Sequence, residues 1–163
     1  MRVLPLLLLL ATASVASAQT WSASVLGGAA FSGDSTVTRG AAAAAVGLMS
    51  RRGVGLEAEA GIAGLTPAGQ DDSWLRAMTG SLVWQAPRAG RLQAYLSAGA
   101  AITSQSTGPP AYRGLKHALV LGGGALVGRG TWRLRMDVRH IHVDNAPNVW
   151  RAGMGVMVLP GQG

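Results

Sequence analysis

The chain is 163 residues long, carries a net charge of +7 and contains no cysteine. Without cysteine it has neither a disulfide framework nor a thiolate metal site, and its length holds a single domain. The basic charge does not point to nucleic acid, because the arginines are scattered and no basic patch is interleaved with aromatic residues.

Residues 1–18 read as a secretory signal. Arg2 gives the positive start, residues 4–11 are apolar, and Ala16-Ser17-Ala18 offers small residues for cleavage before Gln19. That apolar run falls short of the roughly 20 residues a spanning helix needs. Residues 19–163 then form the mature domain. Glycine, serine or a charge interrupts every later apolar run, so any crossing of a membrane would be made by strands closed into a barrel.

From Trp21 onward the hydrophobic period is two, the period of strands, across several segments; small residues leave the faces of the second, fourth, sixth and eighth poorly marked. In the first segment Trp21, Ala23, Val25, Gly27, Ala29 and Phe31 alternate with Ser22, Ser24, Leu26, Gly28, Ala30 and Ser32. The second, about residues 36–49, contains the run from Ala41 to Ala45, which on propensity alone reads as helix. In the third, Val54, Leu56, Ala58, Ala60 and Ile62 alternate with Gly55, Glu57, Glu59, Gly61 and Ala63, so two carboxylates share a face. The fourth covers about residues 73–84. The fifth sets Leu92, Ala94, Leu96, Ala98, Ala100 and Ile102 against Gln93, Tyr95, Ser97, Gly99, Ala101 and Thr103. The sixth covers about residues 117–127. In the seventh Trp132, Leu134, Met136 and Val138 face one way and Arg133, Arg135, Asp137 and Arg139 the other; a helix would spread these charges around its circumference. The eighth covers about residues 149–159.

The connections alternate in length. Arg51-Arg52-Gly53, residues 86–91 and Gly128-Arg129-Gly130 are tight turns, whereas residues 33–39, 66–72, 104–114 and 144–148 are longer and polar. Short turns at one end and long loops at the other are the pattern of outer-membrane barrels. Trp21, Trp74, Trp84, Trp132 and Trp150 fall at segment edges, as an interfacial aromatic girdle requires. The expected fold is therefore all-β, a closed antiparallel up-and-down barrel of about eight transmembrane strands. Such features belong to many small barrels, including those resembling the OmpA and OmpX types.

In so narrow a barrel Glu57 and Glu59 are expected to meet Arg133, Arg135, Asp137 and Arg139 across the lumen as an ion-pair network. Eight strands leave an interior that side chains fill, so a plugged lumen is expected over a porin-like selective pore. The outward face of the seventh segment continues past Val138 to His140, His142 and Asp144, at the end where the outer leaflet would lie. Imidazole and carboxylate suit zinc, but one strand face does not close a coordination shell, and no metal or cofactor is expected. Gly122-Gly123-Gly124 lacks the lysine and the strand-to-helix context of a phosphate loop.

Residues 139–146, Arg-His-Ile-His-Val-Asp-Asn-Ala, resemble the segment around the catalytic histidine of the outer-membrane lipid A 3-O-deacylases. Those proteins are eight-stranded barrels with an active site on the lipid-facing wall and the pattern His-x-Ser-Asn-Ala, a later glutamate orienting the histidine. The resemblance implies His142 as the base and matches Asn145-Ala146. Asp144 stands where that family has its nucleophilic serine, and a carboxylate does not replace a hydroxyl in acyl transfer without a change of mechanism. Where the glutamate is expected the last segment offers Trp150 and Arg151.

The expected function is thus a structural or interaction barrel of the bacterial outer membrane. A lipid A deacylase-like (acyloxyacyl hydrolase) enzyme, or its inactive relative, is the alternative. Its expected partners are outer-membrane lipid, including lipopolysaccharide, and the barrel-insertion machinery; a monomer is expected. Pro160 is expected to stop the last strand, with Leu159 standing where outer-membrane strands usually end in an aromatic residue.

Overall fold

In a computed structural model, residues 20–32, 39–64, 74–105 and 114–160 are described. Residues 1–18, expected to be a signal segment, lie outside them, as do most of three of the longer connections. Eight strands follow in chain order: β1 Thr20–Ser32, β2 Arg39–Met49, β3 Val54–Gly64, β4 Trp74–Gln85, β5 Leu92–Gln105, β6 Gly114–Val127, β7 Trp132–Val143 and β8 Val149–Val158. Each pairs antiparallel with the next, and β1 pairs with β8, from Ala23 opposite Val158 to Ser32 opposite Val149, closing the barrel.

Closure satisfies every strand edge, which is why the alanine run is not helical. Ala44 sits between Val25 of β1 and Ala60 of β3, paired on both sides. Two ladders outweigh a helix propensity of a few tenths of a kcal/mol per residue. Several boundaries move for the same reason. β6 begins at Gly114 rather than His117, and β5 runs to Gln105, because those ends pair with one another. Arg39 belongs to β2 and pairs with Ala30, not to a loop. β8 stops at Val158, after which the Leu159 amide donates to Thr131 O at 2.8 Å and Pro160 follows.

The tight turns lie together at the end where β1 starts and β8 finishes. Gly53 takes φ of 79° in the β2–β3 turn, a left-handed conformation that glycine adopts without steric cost. At the barrel's closing seam a Cβ on Gly155 would run into the backbone of Val25 and Leu26, so the two strands approach to a distance that only glycine permits.

The pleat separates two walls. Outward lie Val25, Met78, Leu96, Leu119, Leu121 and Met154, all more than half exposed. Trp21, Trp84 and Trp132 rim the turn end, and Trp74 and Trp150 the loop end. Inward the barrel is filled in three layers. Leu75, Val120, Ile141, Val143 and Val149 pack with small alanines toward the loops, and Met49, Val83, Tyr95, Leu126, Met157 and Leu159 toward the turns. The charged residues lie between.

Candidate functional site

The middle layer of the lumen is built from β3, β7 and β8. Period-two alternation turns Glu57 and Glu59 inward from β3, Arg135, Asp137 and Arg139 from β7, and Arg151 from β8, all buried. Arg135 grips Glu57 with both ends of its guanidinium, Nη1 to Oε2 at 2.5 Å and Nη2 to Oε1 at 3.0 Å, and reaches Asp137 Oδ2 at 2.9 Å. Arg139 Nη2 lies 2.5 Å from Glu57 Oε1 and 3.3 Å from Glu59 Oε2, while its Nε donates to Asp137 Oδ1 at 3.1 Å. Arg151 pairs bidentately with Glu59, at 2.8 and 2.9 Å, and reaches Asp137 Oδ1 at 3.4 Å.

Three arginines therefore face three carboxylates, and the layer is neutral. Neutrality matters here, because a buried charge is tolerated only when it is paired and hydrogen-bonded. Arg133, grouped with the others on periodicity, lies closer to the turns, where its Nη1 donates to Gln93 Oε1 at 3.1 Å. Arg151 and Tyr95, outside the group of charges that periodicity singles out, complete the layer. Arg151 shares its face with Gly153 and Gly155, so the alternation of β8 carries almost no hydrophobic contrast to reveal it.

The Tyr95 hydroxyl donates to Asp137 Oδ2 and accepts from Arg135 Nε at 3.1 Å, and the Arg135 guanidinium carbon stands 5.0 Å from the ring centroid. Replacing Tyr95 by Phe removes a bond to each of two charged groups. The expected cost is about 1.5–3 kcal/mol, measurable as a lower midpoint in urea unfolding of the barrel in lipid vesicles.

Little space is left among these side chains. One gap of about 10 Å³ lies beside Tyr95 and Arg135 and another beside Asp137 and Arg151, each room for roughly one water.

On the outer wall, near the loops, β7 and β8 bring a second group together. His142, at the end of β7, meets Asn148 just before β8, its ring Nδ1 lying 2.6 Å from Asn148 Oδ1. His140 packs on Trp150 with ring centroids 4.5 Å apart. Asp144 is exposed at the rim, its amide donating to His117 O at 3.0 Å, and Asn145 takes φ of 56° in the turn that follows. The ring of His142 is thus oriented by an amide oxygen, a partner four residues past Asp144 that the segment's spacing did not single out. Among the described residues no three His, Cys, Asp or Glu side chains are grouped to hold a metal ion.

A closed eight-stranded antiparallel barrel, apolar outside, rimmed by aromatic residues and polar within, is the architecture of the small outer-membrane β-barrels. The particular likenesses are to Neisserial surface protein A, at 14% identity over 86% of this chain and 96% of that one with a TM-score of 0.65, and to the N-terminal β-barrel domain of Pseudomonas aeruginosa OprF, at 15% identity over 85% and 96% with a TM-score of 0.61. The Yersinia pestis outer membrane protein Ail in a phospholipid bilayer nanodisc is similar at 12% identity over 85% and 99%, with a TM-score of 0.55. At these identities the likeness carries the fold. No protein-family model matches the chain, and no curated protein does.

Proposed function

We propose that this chain is a structural or interaction barrel of the bacterial outer membrane, delivered by a cleaved signal and inserted by the barrel-assembly machinery, with a lumen closed by its own side chains. The observation that carries this reading is the outer wall. Its large apolar side chains are exposed all round a closed sheet, between tryptophans at both ends, and such a surface is stable only against lipid. Its interior, packed with a neutral ion-pair layer between two apolar ones, supports the absence of a pore.

The test is to fractionate membranes of cells making the chain, check for heat-modifiable migration, and record from the purified barrel in planar bilayers. Recovery in outer membranes without stable conductance is expected. Sizeable, stable single-channel steps would overturn the closed lumen, and recovery as a soluble periplasmic species would overturn the membrane reading.

A hydrolytic reading is favoured by one observation, the His142 ring held toward Asn148 on the lipid-facing wall. Asp144 supplies a carboxylate in place of a hydroxyl nucleophile, so acyl transfer by the deacylase route lacks its acceptor. Lipid A from cells making the chain is expected to be unchanged in mass. Loss of one acyl chain that disappears in His142→Ala would establish the enzyme instead.

A further inference from the structure

Among the outward-facing strand residues described, Arg76 alone carries a permanent charge. It stands on β4 two residues inside Trp74, one pleat toward the apolar wall from the aromatic rim, and no described carboxylate pairs with it. A cation at that depth is costly unless an anion meets it or it reaches the headgroups.

Arg76 also stands at the head of a groove. Register aligns Ala42 and Ala44 of β2 with Ile62 and Ala60 of β3, and Ala60 with Met78 of β4. The alanines form a floor between bulkier side chains, leaving a cleft of about 660 Å³ whose upper wall includes Arg76 and Leu115. Through Val25, Ala44, Ala60 and Met78 it continues into a second cleft of about 550 Å³ toward the turn end. Clefts of roughly 300–1,000 Å³ are the size that holds small ligands.

We propose that this groove seats an acyl chain of a phosphate-bearing, multiply acylated lipid of the outer leaflet, with the Arg76 guanidinium paired to the lipid's phosphate. The proposal rests on the outer-membrane reading above, with the end that carries the long loops placed in the outer leaflet. Guanidinium binds phosphate through paired N–H donors in a fixed fork; Ser104 of β5 stands opposite Arg76, and the groove beneath the two is lined mainly by apolar side chains. A second copy of the chain fits less well. A two-fold interface over this face would present the same wall to itself, bringing Arg76 a like charge and no described carboxylate.

Native mass spectrometry of the full chain, refolded in neutral detergent with diphosphorylated lipid A, tests it. One retained lipid per barrel is expected, with retention lowered about tenfold for dephosphorylated lipid A and for Arg76→Gln. Retention should be restored in good part by Arg76→Lys and lost again when Ala44→Leu and Ala60→Leu fill the groove. Equal retention by Arg76→Gln or by the filled variant would overturn the site, as would equal retention of dephosphorylated lipid. Phosphatidylglycerol held as tightly as lipid A would reassign the occupant to any anionic lipid and overturn the outer-leaflet assignment. A dimer that the alanine replacements abolish would make the groove a subunit interface instead. Each variant is checked for heat-modifiable migration. A chain found in outer membranes that retains no lipid sinks only this site, whereas a chain not found there sinks the membrane reading itself.

Discussion

Arg135→Met is expected to destabilise the folded barrel by about 3–5 kcal/mol, the cost of leaving a buried charge without its partner. Methionine keeps much of the arginine's length, so the effect isolates charge from packing. Glu57 loses its bidentate partner and keeps only Arg139, Asp137 loses a bond of 2.9 Å, and the layer passes from neutral to one net negative charge. Urea unfolding in lipid vesicles, followed by tryptophan fluorescence, reads the change. A loss under about 1 kcal/mol, the size of an exposed ion pair, would mean that water enters the lumen and screens the layer. Pairing the change with Glu57→Leu supplies the control. An apolar replacement of both partners is often close to neutral, so the double variant should be more stable than Arg135→Met alone.

Met154→Arg tests the other wall. Met154 is 63% exposed near the middle of β8 and pairs with Met136 on β7 and Gly27 on β1. In a bilayer an arginine at the midplane of a barrel's lipid face costs about 2–4 kcal/mol, and near the interface about 0–1. Leu92→Arg, at the turn end of β5, should therefore cost far less when both variants are unfolded from vesicles. Were this surface in water, both substitutions would fall within about 0.5 kcal/mol of the parent. Equal and small losses would remove the membrane from the reading, and a steep dependence on depth would place the bilayer along the strands.

The two walls differ in how openly the sequence carries them. Which residues face lipid and which face the lumen follows from period two within each strand, a local property. β7 displays it plainly, because Leu134, Met136 and Val138 alternate with charges. It is nearly silent in β2 and β8, where alanine and glycine occupy both faces, and there Arg151 went unassigned. The apolar inner layers were hidden for a related reason. Leu75, Val143 and Val149 point inward at strand ends, where an apolar residue gives no sign of which wall it belongs to.

What the sequence determined by itself is the all-β character, the tight turns at one end and the facing of each well-patterned strand, because these depend on neighbours a few residues apart. Only the tertiary structure decided which charges meet. Arg135 and Glu57 lie 78 residues apart, and Arg151 and Glu59 92 apart. The alanine floor beneath Arg76 is likewise assembled from three strands. Strand tilt and register set these meetings around the barrel, and both are fixed by closure of the whole sheet, when β1 pairs with β8.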